Sequence, residues 1–399
     1  MTKSLLKLSE KIGGHWLRSS ANGRPQPATW RNYTAESGDD GILRSNTSAL
    51  LTRVKMTARG HADGEYIGHL TSEDPIKDFL AKVLRDRMRI RAKSLEFQVY
   101  RLPGAHETYC YQEEHTRGLV VCKFFGTRKR FASDPSQGAR VAQKEYDNLN
   151  ILRGYGLIGS PHHVVEPFGV RSEVNAVLAL EYFPGEELTK TIRHGIYYGD
   201  AVHLLDRLGA LAHFLSNLHI RTTLPCGMDF GDECKYFTKA VEKLFEHGLV
   251  GQWDVDEVLF LVDLWRARPP MWHDSQVWLH GDATPGNFLF GDGSQVVAID
   301  LEAMRHGDPA LDLGYIVAEI QHAFMLATGH RSPAEPFISH FFHEYCSDFP
   351  SPRSTFKAIT TRTPFYMAHN LLRIADNAYI AEEHSRRLVE QVKTLLRVC

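Results

Sequence analysis

Polar residues that could bind a metal ion are concentrated between residues 277 and 316. The short runs NFLF and QVVAID flank the turn sequence GDGS there and predict a β-hairpin. A hairpin brings its outer ends side by side, so Asn287 and Asp300 should be neighbours. If the second strand continues that far, the alternation of side chains gives Asp300 and Glu302 a common direction. The sequence therefore predicts three oxygen ligands that converge.

Oxygen ligands of this kind suit Mg²⁺, which commonly takes one or two protein carboxylates together with substrate phosphates. A nucleotide is therefore the expected occupant of the site. Asp282 precedes Asn287 in a loop that contains Pro285 and Gly286. Such a loop could hold a free carboxylate beside the metal without making it a ligand. Asp282 is thus the candidate base for a hydroxyl nucleophile.

A lysine on a predicted strand could supply the cation that phosphoryl transfer requires. Such transfer depends on in-line positioning and on charges that neutralise the transferred oxygens. Lys123 stands in the run VVCKFF, where a lone charge has no evident structural purpose. Glu145, on the helix predicted to follow, is suited to orient it as an ion pair. We expect Lys123 to contact the phosphates of a nucleotide.

The elements that must position these residues form two lobes. The runs LEFQVYRL, ETYCYQEE and GLVVCKFF predict an antiparallel meander, and HVVEPFGV and AVLALEYF complete a five-stranded small lobe, residues 94–183. A helix is predicted within this lobe at residues 137–153. From Pro184 the pattern becomes mainly helical, which predicts a large α lobe over residues 184–399. Its predicted helices span residues 199–220, 233–249, 253–267, 309–328, 335–347 and 363–396.

Residues 1–93 are predicted to be an N-terminal extension with a basic helix. The helix is expected over residues 73–93, and six of the twelve positions from Lys82 to Lys93 are Lys or Arg. No aromatic residue interleaves them, as stacking on bases would favour. A solvated helix face is therefore favoured over a nucleic-acid site.

Composition and charge exclude several classes of protein. Hydrophobic residues at 43% and charged residues at 24% are typical of globular proteins. No membrane span or secretory signal is visible, and the six cysteines lack CxxC spacing, so a cytoplasmic protein without a disulfide framework is expected. Residues 1–180 carry a net charge of +8 and residues 181–399 one of −10. The acidic half suits a metal ion or a cationic molecule.

The run HGDATPGN, which contains Asp282 and Asn287, resembles the HxDxxxxN catalytic loop of the aminoglycoside phosphotransferase and choline kinase-like family. The segment IDLE at residues 299–302 resembles the metal-binding segment of that family, and GDPALDLG at residues 307–314 strengthens the match. At lower specificity the resemblance extends from Leu95 to Ala378, through VVCKFF, KEYDNLNIL and LEYFPGEEL.

The resemblance implies an α+β, bilobal, protein-kinase-like fold and a role for each candidate residue. Asp282 would be the catalytic base, and Asn287 and Asp300 would bind Mg²⁺. Lys123 with Glu145 would secure the phosphates of ATP or GTP.

The same resemblance assigns further residues around the nucleotide. Glu302 could assist a second metal ion, and the hinge of Glu181, Tyr182 and Phe183 would contact the base through its backbone. The turn at residues 103–106 would cover the phosphates, although it departs from a glycine-rich loop. The scaffold also implies that His280 and Asp312 brace the catalytic loop. A further group could face the acceptor pocket or could be merely structural: Asn370, Arg373, Asp376 and Asn377.

These observations predict a kinase for a small molecule with a hydroxyl group. The acidic large lobe suits an aminoglycoside, an amino sugar or a choline-like amine as the acceptor. The alternative is a nucleotide-binding regulatory pseudokinase whose extension and basic helix dock a protein partner, but the intact metal and base residues argue against it. A protein or nucleic-acid substrate ranks third. The sequence leaves the choice between ATP and GTP and the oligomeric state open.

Overall fold

The computed structural model describes residues 64–90, 94–103, 107–126 and 135–397, and these residues fold as one unit. The predictions made for residues 1–63, for the end of the basic helix at residues 91–93 and for the tip of the phosphate-covering turn at residues 104–106 lie outside these ranges. Within them, no helix has the length and apolar character that crossing a membrane would require.

The small lobe is built on an antiparallel sheet. The chain forms β1 (Glu65–His69), β2 (Phe97–Arg101), β3 (Glu107–Glu113), β4 (Leu119–Phe124), β5 (His162–Val164), β6 (Pro167–Arg171) and β7 (Val177–Glu181). Six of these strands make one sheet in the order β1-β2-β3-β4-β7-β6, and every neighbouring pair is antiparallel. The predicted meander is confirmed as β2, β3 and β4.

Two differences from the predicted five strands have physical causes. The run HVVEPFGV is two strands, because Pro167 lacks the N–H that a continuous ladder needs and the chain changes sheets before it. β5 pairs instead with a strand of the large lobe. β1 is the additional strand, and its sequence EYIGH gives little signal because its side chains are mostly exposed.

The helix α1 (Ile76–Asp86) covers the outer face of this sheet. Its apolar residues pack with sheet residues that include Val120 and Cys122 of β4. Residues 64–90 are therefore part of the small lobe in the structure, although the sequence assigned them to an extension. The helix is shorter than the predicted 73–93, since the backbone turns through a positive φ at Arg89 and Ile90 folds back onto the same apolar cluster.

The large lobe is mainly helical, as predicted. Its helices are α3 (Leu188–Tyr198), α4 (Ala201–Arg221), α5 (Phe230–Glu246), α6 (Gln252–Arg266), α7 (Ala310–Thr328), α8 (Glu335–Ser347), α9 (Pro352–Ala375) and α10 (Glu382–Leu396), while α2 (Pro135–Gly154) belongs to the small lobe. Its strands are β8 (Glu186–Glu187), β9 (Leu224–Gly227), β10 (Ser275–Leu279), β11 (Phe288–Phe290), β12 (Val296–Ala298) and β13 (Arg305–Gly307). They form two small sheets, β13-β10-β9 and β5-β12-β11-β8.

One predicted helix, residues 363–396, is two helices in the structure. α9 ends at Ala375 and α10 begins at Glu382, with a turn between them that contains Asp376 and Asn377. Asp and Asn favour turns because their side chains compete with the helical backbone for hydrogen bonds. Asp376 also pairs with Lys243 of α5 and with His247, which follows that helix. It therefore fixes the turn against α5.

His213 joins α4 to the end of α8 through two carboxylates. Its Nδ1 lies 2.9 Å from Asp348 Oδ2 and its Nε2 lies 3.2 Å from Glu344 Oε2. The hydrogen bond with Glu344, followed by that with Asp348, raises the pKa of His213 to about 9. The charged imidazole is thus stabilised by folding.

This pairing predicts a pH-dependent loss of stability. Because the folded pKa exceeds the unfolded value of about 6.5, the contribution is complete below pH 6.5 and is lost as the pH rises through about 9. The imidazole is 40% exposed, so solvent screening limits the effect to about 1 kcal/mol. At pH 6.5 we expect the unsubstituted protein to have a higher unfolding free energy than His213→Gln. This difference should disappear by pH 10. The exposed His330→Gln serves as the control, and an advantage that persists at pH 10 would contradict the pairing.

Candidate active site

A buried ion pair lies on the inner face of the small lobe. Lys123 Nζ of β4 lies 2.7 Å from Glu145 Oε2 of α2 and 2.7 Å from Asp300 Oδ1 of the large lobe. Gly138 allows α2 to approach the end of β4, because a Cβ there would lie 3.1 Å from the backbone of Phe125. Lys123 thus connects both lobes at one point.

Burial and charge have opposite effects on this pair. Burial disfavours the ammonium of Lys123, but the carboxylates of Glu145 and Asp300 outweigh it and raise the pKa of the lysine. Burial also raises the pKa of Glu145, against the opposing effect of the Lys123 charge. Each group depends on the other to remain charged in a site that excludes water. We expect the pair to be sensitive to the loss of either partner.

The predicted hairpin brings Asn287 and Asp300 together. β11 and β12 pair in the register Phe288 with Ala298, and the Ile299 N–H donates to the Asn287 carbonyl oxygen at 3.1 Å. The expectation that the strand continues to residue 302 is wrong, since β12 ends at Ala298 and Asp300 has a φ of +62°. Aspartate is among the residues that tolerate this left-handed conformation. It reverses the chain directly after the strand.

This reversal, rather than strand alternation, brings the carboxylates together. One oxygen each of Glu145, Asp300 and Glu302 lies within 4.8 Å of the others. Asn148, one turn after Glu145 on α2, donates from its side chain to the Leu301 carbonyl oxygen at 2.7 Å and so fixes the turn. Sequence reasoning missed Asn148, although its spacing from Glu145 places both on one helix face.

The loop that carries Asp282 is fixed by buried polar contacts. The carboxylate of Asp312 accepts from the backbone N–H of His280 at 2.7 Å and of Gly281 at 3.0 Å. Gly281 has a φ of +80°, and a Cβ there would lie 2.2 Å from the Ala303 carbonyl oxygen. Burial would raise the pKa of Asp312, but its bond with His219 and the other contacts lower it. These are the bracing contacts that the resemblance implied.

Asp282 itself is partly open to solvent, with 32% of its side chain exposed. The Asn287 side-chain nitrogen donates to the Asp282 carbonyl oxygen at 2.8 Å and lies 3.3 Å from its Oδ2. This leaves the side-chain oxygen of Asn287 as the atom that could bind a metal ion. The other carboxylate oxygen of Asp282 accepts from Arg373 Nη2 at 2.8 Å. Among the four residues considered for the acceptor pocket, Arg373 therefore lies beside Asp282. Asp376 does not, because it pairs with side chains at the end of α5.

The hinge residues have three different environments. The Glu181 carboxylate contacts His163 Nε2 at 2.8 Å and accepts from the Glu166 N–H at 3.0 Å, so its side chain is engaged with the β5–β6 segment. Burial would raise the pKa of Glu181, but these bonds lower it. Tyr182 packs against the cluster of Tyr100 and Cys110, whereas Phe183 packs against the core of the large lobe. Backbone contacts to a nucleotide base remain a prediction.

Residues 100–353 match the sequence profile of the APH phosphotransferase enzyme family. The chain belongs to this family. The matched region contains every residue that the sequence analysis named as a metal ligand, a phosphate-binding residue, a hinge residue or the catalytic base. As an APH-family member the chain is a phosphotransferase, and the resemblance seen in its motifs is confirmed. No curated protein matches it by sequence.

Solved structures with similar folds include kinases of small alcohols. The choline kinase of Cryptosporidium parvum Iowa II superimposes with a TM-score of 0.53 at 12% identity, over 80% of this chain and 95% of that one. The ethanolamine kinase of Plasmodium vivax superimposes with a TM-score of 0.49 at 12% identity, over 82% of this chain and 89% of that one. An aminoglycoside phosphotransferase with bound ADP superimposes with a TM-score of 0.46 at 14% identity, over 80% of this chain and 97% of that one. The choline kinase likeness confirms the bilobal, kinase-like fold of this APH-family chain.

Proposed function

We propose that the chain transfers the γ-phosphoryl group of a Mg²⁺-bound nucleotide, ATP or GTP, to a hydroxyl group of a small molecule. The observation that carries this proposal is the contact of Lys123 with Asp300. It joins the small lobe's cation to the large lobe's carboxylates, beside the hairpin that also carries Asn287. Phosphoryl transfer requires this combination of a cation and metal ligands on either side of a nucleotide.

The side chains present fit a magnesium ion. Asp300 and Asn287 would hold it, and Glu302, whose carboxylate lies within 4.8 Å of that of Asp300, would assist a second ion. All three side chains offer the hard oxygen ligands that Mg²⁺ prefers. When bound, the ion would neutralise charge on the phosphate oxygens. Lys123 would contact the phosphates, oriented by Glu145. The hinge of Glu181, Tyr182 and Phe183 would bind the base through its backbone.

Asp282 would act as the base. Its carboxylate accepts the proton of the acceptor hydroxyl while that oxygen forms a bond to the γ-phosphorus. The bond from the γ-phosphorus to the bridging oxygen breaks, and the nucleoside diphosphate leaves with its electron pair. The bracing of the loop by Asp312 keeps the Asp282 carboxylate in position for this transfer.

The acceptor is a small molecule rather than a polymer in this proposal, and the amines expected from the acidic large lobe are one class of candidates. The five described cysteines are free thiols, which fits a reducing, cytoplasmic compartment where ATP and GTP are available.

A panel assay tests the proposed function. The full-length protein is incubated with Mg-ATP or Mg-GTP and with hydroxyl compounds that are cationic, neutral or anionic, and both nucleotide consumption and the phosphorylated product are measured by mass spectrometry. We expect at least one acceptor to give equal amounts of nucleoside diphosphate and phosphorylated product, and chelation of Mg²⁺ to stop the reaction. Nucleotide binding without a product from any acceptor would instead favour the regulatory pseudokinase.

A further inference from the structure

A guanidinium group lies directly beside the proposed base. Arg373 of α9 donates from Nη2 to Asp282 Oδ1 at 2.8 Å, and the two side chains are 39% and 32% exposed. The contact is therefore accessible to solvent rather than enclosed in the core. An acceptor whose hydroxyl reaches Asp282 must lie next to Arg373.

The guanidinium is held in a defined orientation. It lies 4.9 Å from the centre of the Tyr315 ring, and Tyr315 is only 3% exposed. The Arg373 Nη1 lies 3.4 Å from Asn370 Oδ1, and the Asn370 side-chain nitrogen in turn lies 3.3 Å from Glu319 Oε1. Contact with a buried ring and hydrogen bonds to Asn370 and Asp282 restrict the orientation of this guanidinium, which has five N–H donors in all. Arg373 is thus prearranged to bind a planar or tetrahedral anion.

Arg373 is a cationic group placed directly beside the proposed base, at 2.8 Å from Asp282 Oδ1. Arg373 remains charged at any physiological pH. Glu319, whose carboxylate lies 3.3 Å from the Asn370 side-chain nitrogen, is a further acidic residue near this position, and its burial raises its pKa to about 7, which reduces its negative charge. A cationic group beside the reacting hydroxyl would be repelled by the guanidinium, whereas an anionic group would be attracted.

We infer that Arg373 is a specificity-determining residue that selects acceptors with an anionic oxygen group, a carboxylate or a phosphate, close to the hydroxyl. This inference rests on the proposed function and replaces the amine acceptors by hydroxy acids or their phosphate analogues. Arg373 bridges Asp282 and the anionic group of the acceptor, so that the hydroxyl is directed to the base. Bidentate hydrogen bonds to such groups are characteristic of arginine.

Binding of matched compounds tests the inference. The probes are sets of hydroxy acid, hydroxyalkyl phosphate, alcohol and amino alcohol on several shared carbon skeletons, measured by ligand-observed NMR with the full chain and a non-hydrolysable Mg-nucleotide. We expect the acids or the phosphates to bind more tightly than the matched amines. Arg373→Gln should lower the binding affinity for these anions by about 10-fold or more. Arg373→Lys should restore part of this preference. Comparing the carboxylate and phosphate sets identifies which anion is recognised.

The control is Arg386→Gln, which removes an exposed arginine of α10 that pairs with Glu382. The inference is overturned if the amines bind best, if the anions bind Arg373→Gln as tightly as the unsubstituted protein, or if no probe binds. If Arg373 had a purely structural role, Arg373→Gln would weaken the binding of all probes equally. The ratio of the affinities for anions and amines would then be unchanged.

The same compounds separate this inference from the proposed function. Binding of anions that depends on Arg373, without any phosphorylated product, would refute the kinase activity and leave the anion site standing. Phosphorylation of amino alcohols that does not depend on Arg373 would leave the kinase activity standing and refute the selection of anions.

Discussion

Asp282→Asn is expected to lower turnover by about 10²–10⁴-fold, the range that removal of a general base typically costs. An amide keeps the shape of the carboxylate but cannot accept the proton of the acceptor hydroxyl. The carboxylate of Asp282 is half-exposed and the loop is fixed independently by Asp312, so we expect little change in folding. Turnover is measured as kcat, and nucleotide affinity is measured separately by calorimetry and should be nearly unchanged.

Asp292→Asn provides the matched control for this variant. Asp292 lies in the turn between β11 and β12, at the opposite end of the hairpin from Asn287 and Asp300. We expect its turnover to equal that of the unsubstituted protein. Near-normal turnover of Asp282→Asn would refute the assignment of the base, whereas a loss of nucleotide affinity would indicate that the loop had been disturbed.

Lys123→Met is expected to reduce both stability and turnover. The substitution leaves the fully buried carboxylate of Glu145 without its cation, which should cost about 3–5 kcal/mol of unfolding free energy in urea denaturation. Loss of a cation directed at the transferred phosphate oxygens should lower kcat by about 10²–10³-fold. The two effects have different origins, and a second substitution can separate them.

The double variant Lys123→Met with Glu145→Met removes the whole buried pair. The fully buried carboxylate of Glu145 is removed with its cation, and Asp300, the other partner of Lys123, is 26% exposed to solvent. Most of the lost stability should therefore return, while turnover should stay low. Recovery of turnover together with stability would show that Lys123 serves only the fold. Failure of the double variant to regain stability would show that the pair is not coupled as the 2.7 Å contact indicates.

The features predicted best from the sequence are those that depend on local pattern. The turn between β11 and β12 fixed the register of the hairpin, and the register alone brought Asn287 beside Asp300. The contact of Lys123 with Glu145 followed from a charge in an apolar strand and an acid on the next helix. In both cases the elements are neighbours in the chain, so few alternative arrangements exist.

The features that escaped prediction depend on distant contacts. Arg373 and Asp282 are brought together only by the packing of α9 against the rest of the large lobe, which no local pattern encodes. The left-handed conformation of Asp300 lies in a turn whose Leu301 carbonyl oxygen is bound by Asn148 of the small lobe. The position of α1 over the sheet's outer face likewise depends on contacts with strands that follow it in the chain, which the sequence of the helix does not indicate.

Manganese binding tests most directly whether Asn287 and Asp300 hold a divalent ion for a nucleotide. Mn²⁺ replaces Mg²⁺ and is titrated into the protein with a non-hydrolysable nucleotide, and the bound ion is measured by electron paramagnetic resonance. For the unsubstituted protein we expect Mn²⁺ and nucleotide to bind together, and for Asp300→Asn we expect the affinity for the ion to fall by at least about 10-fold. Equal affinity of Mn²⁺ for Asp300→Asn and for the unsubstituted protein would contradict the proposed metal site.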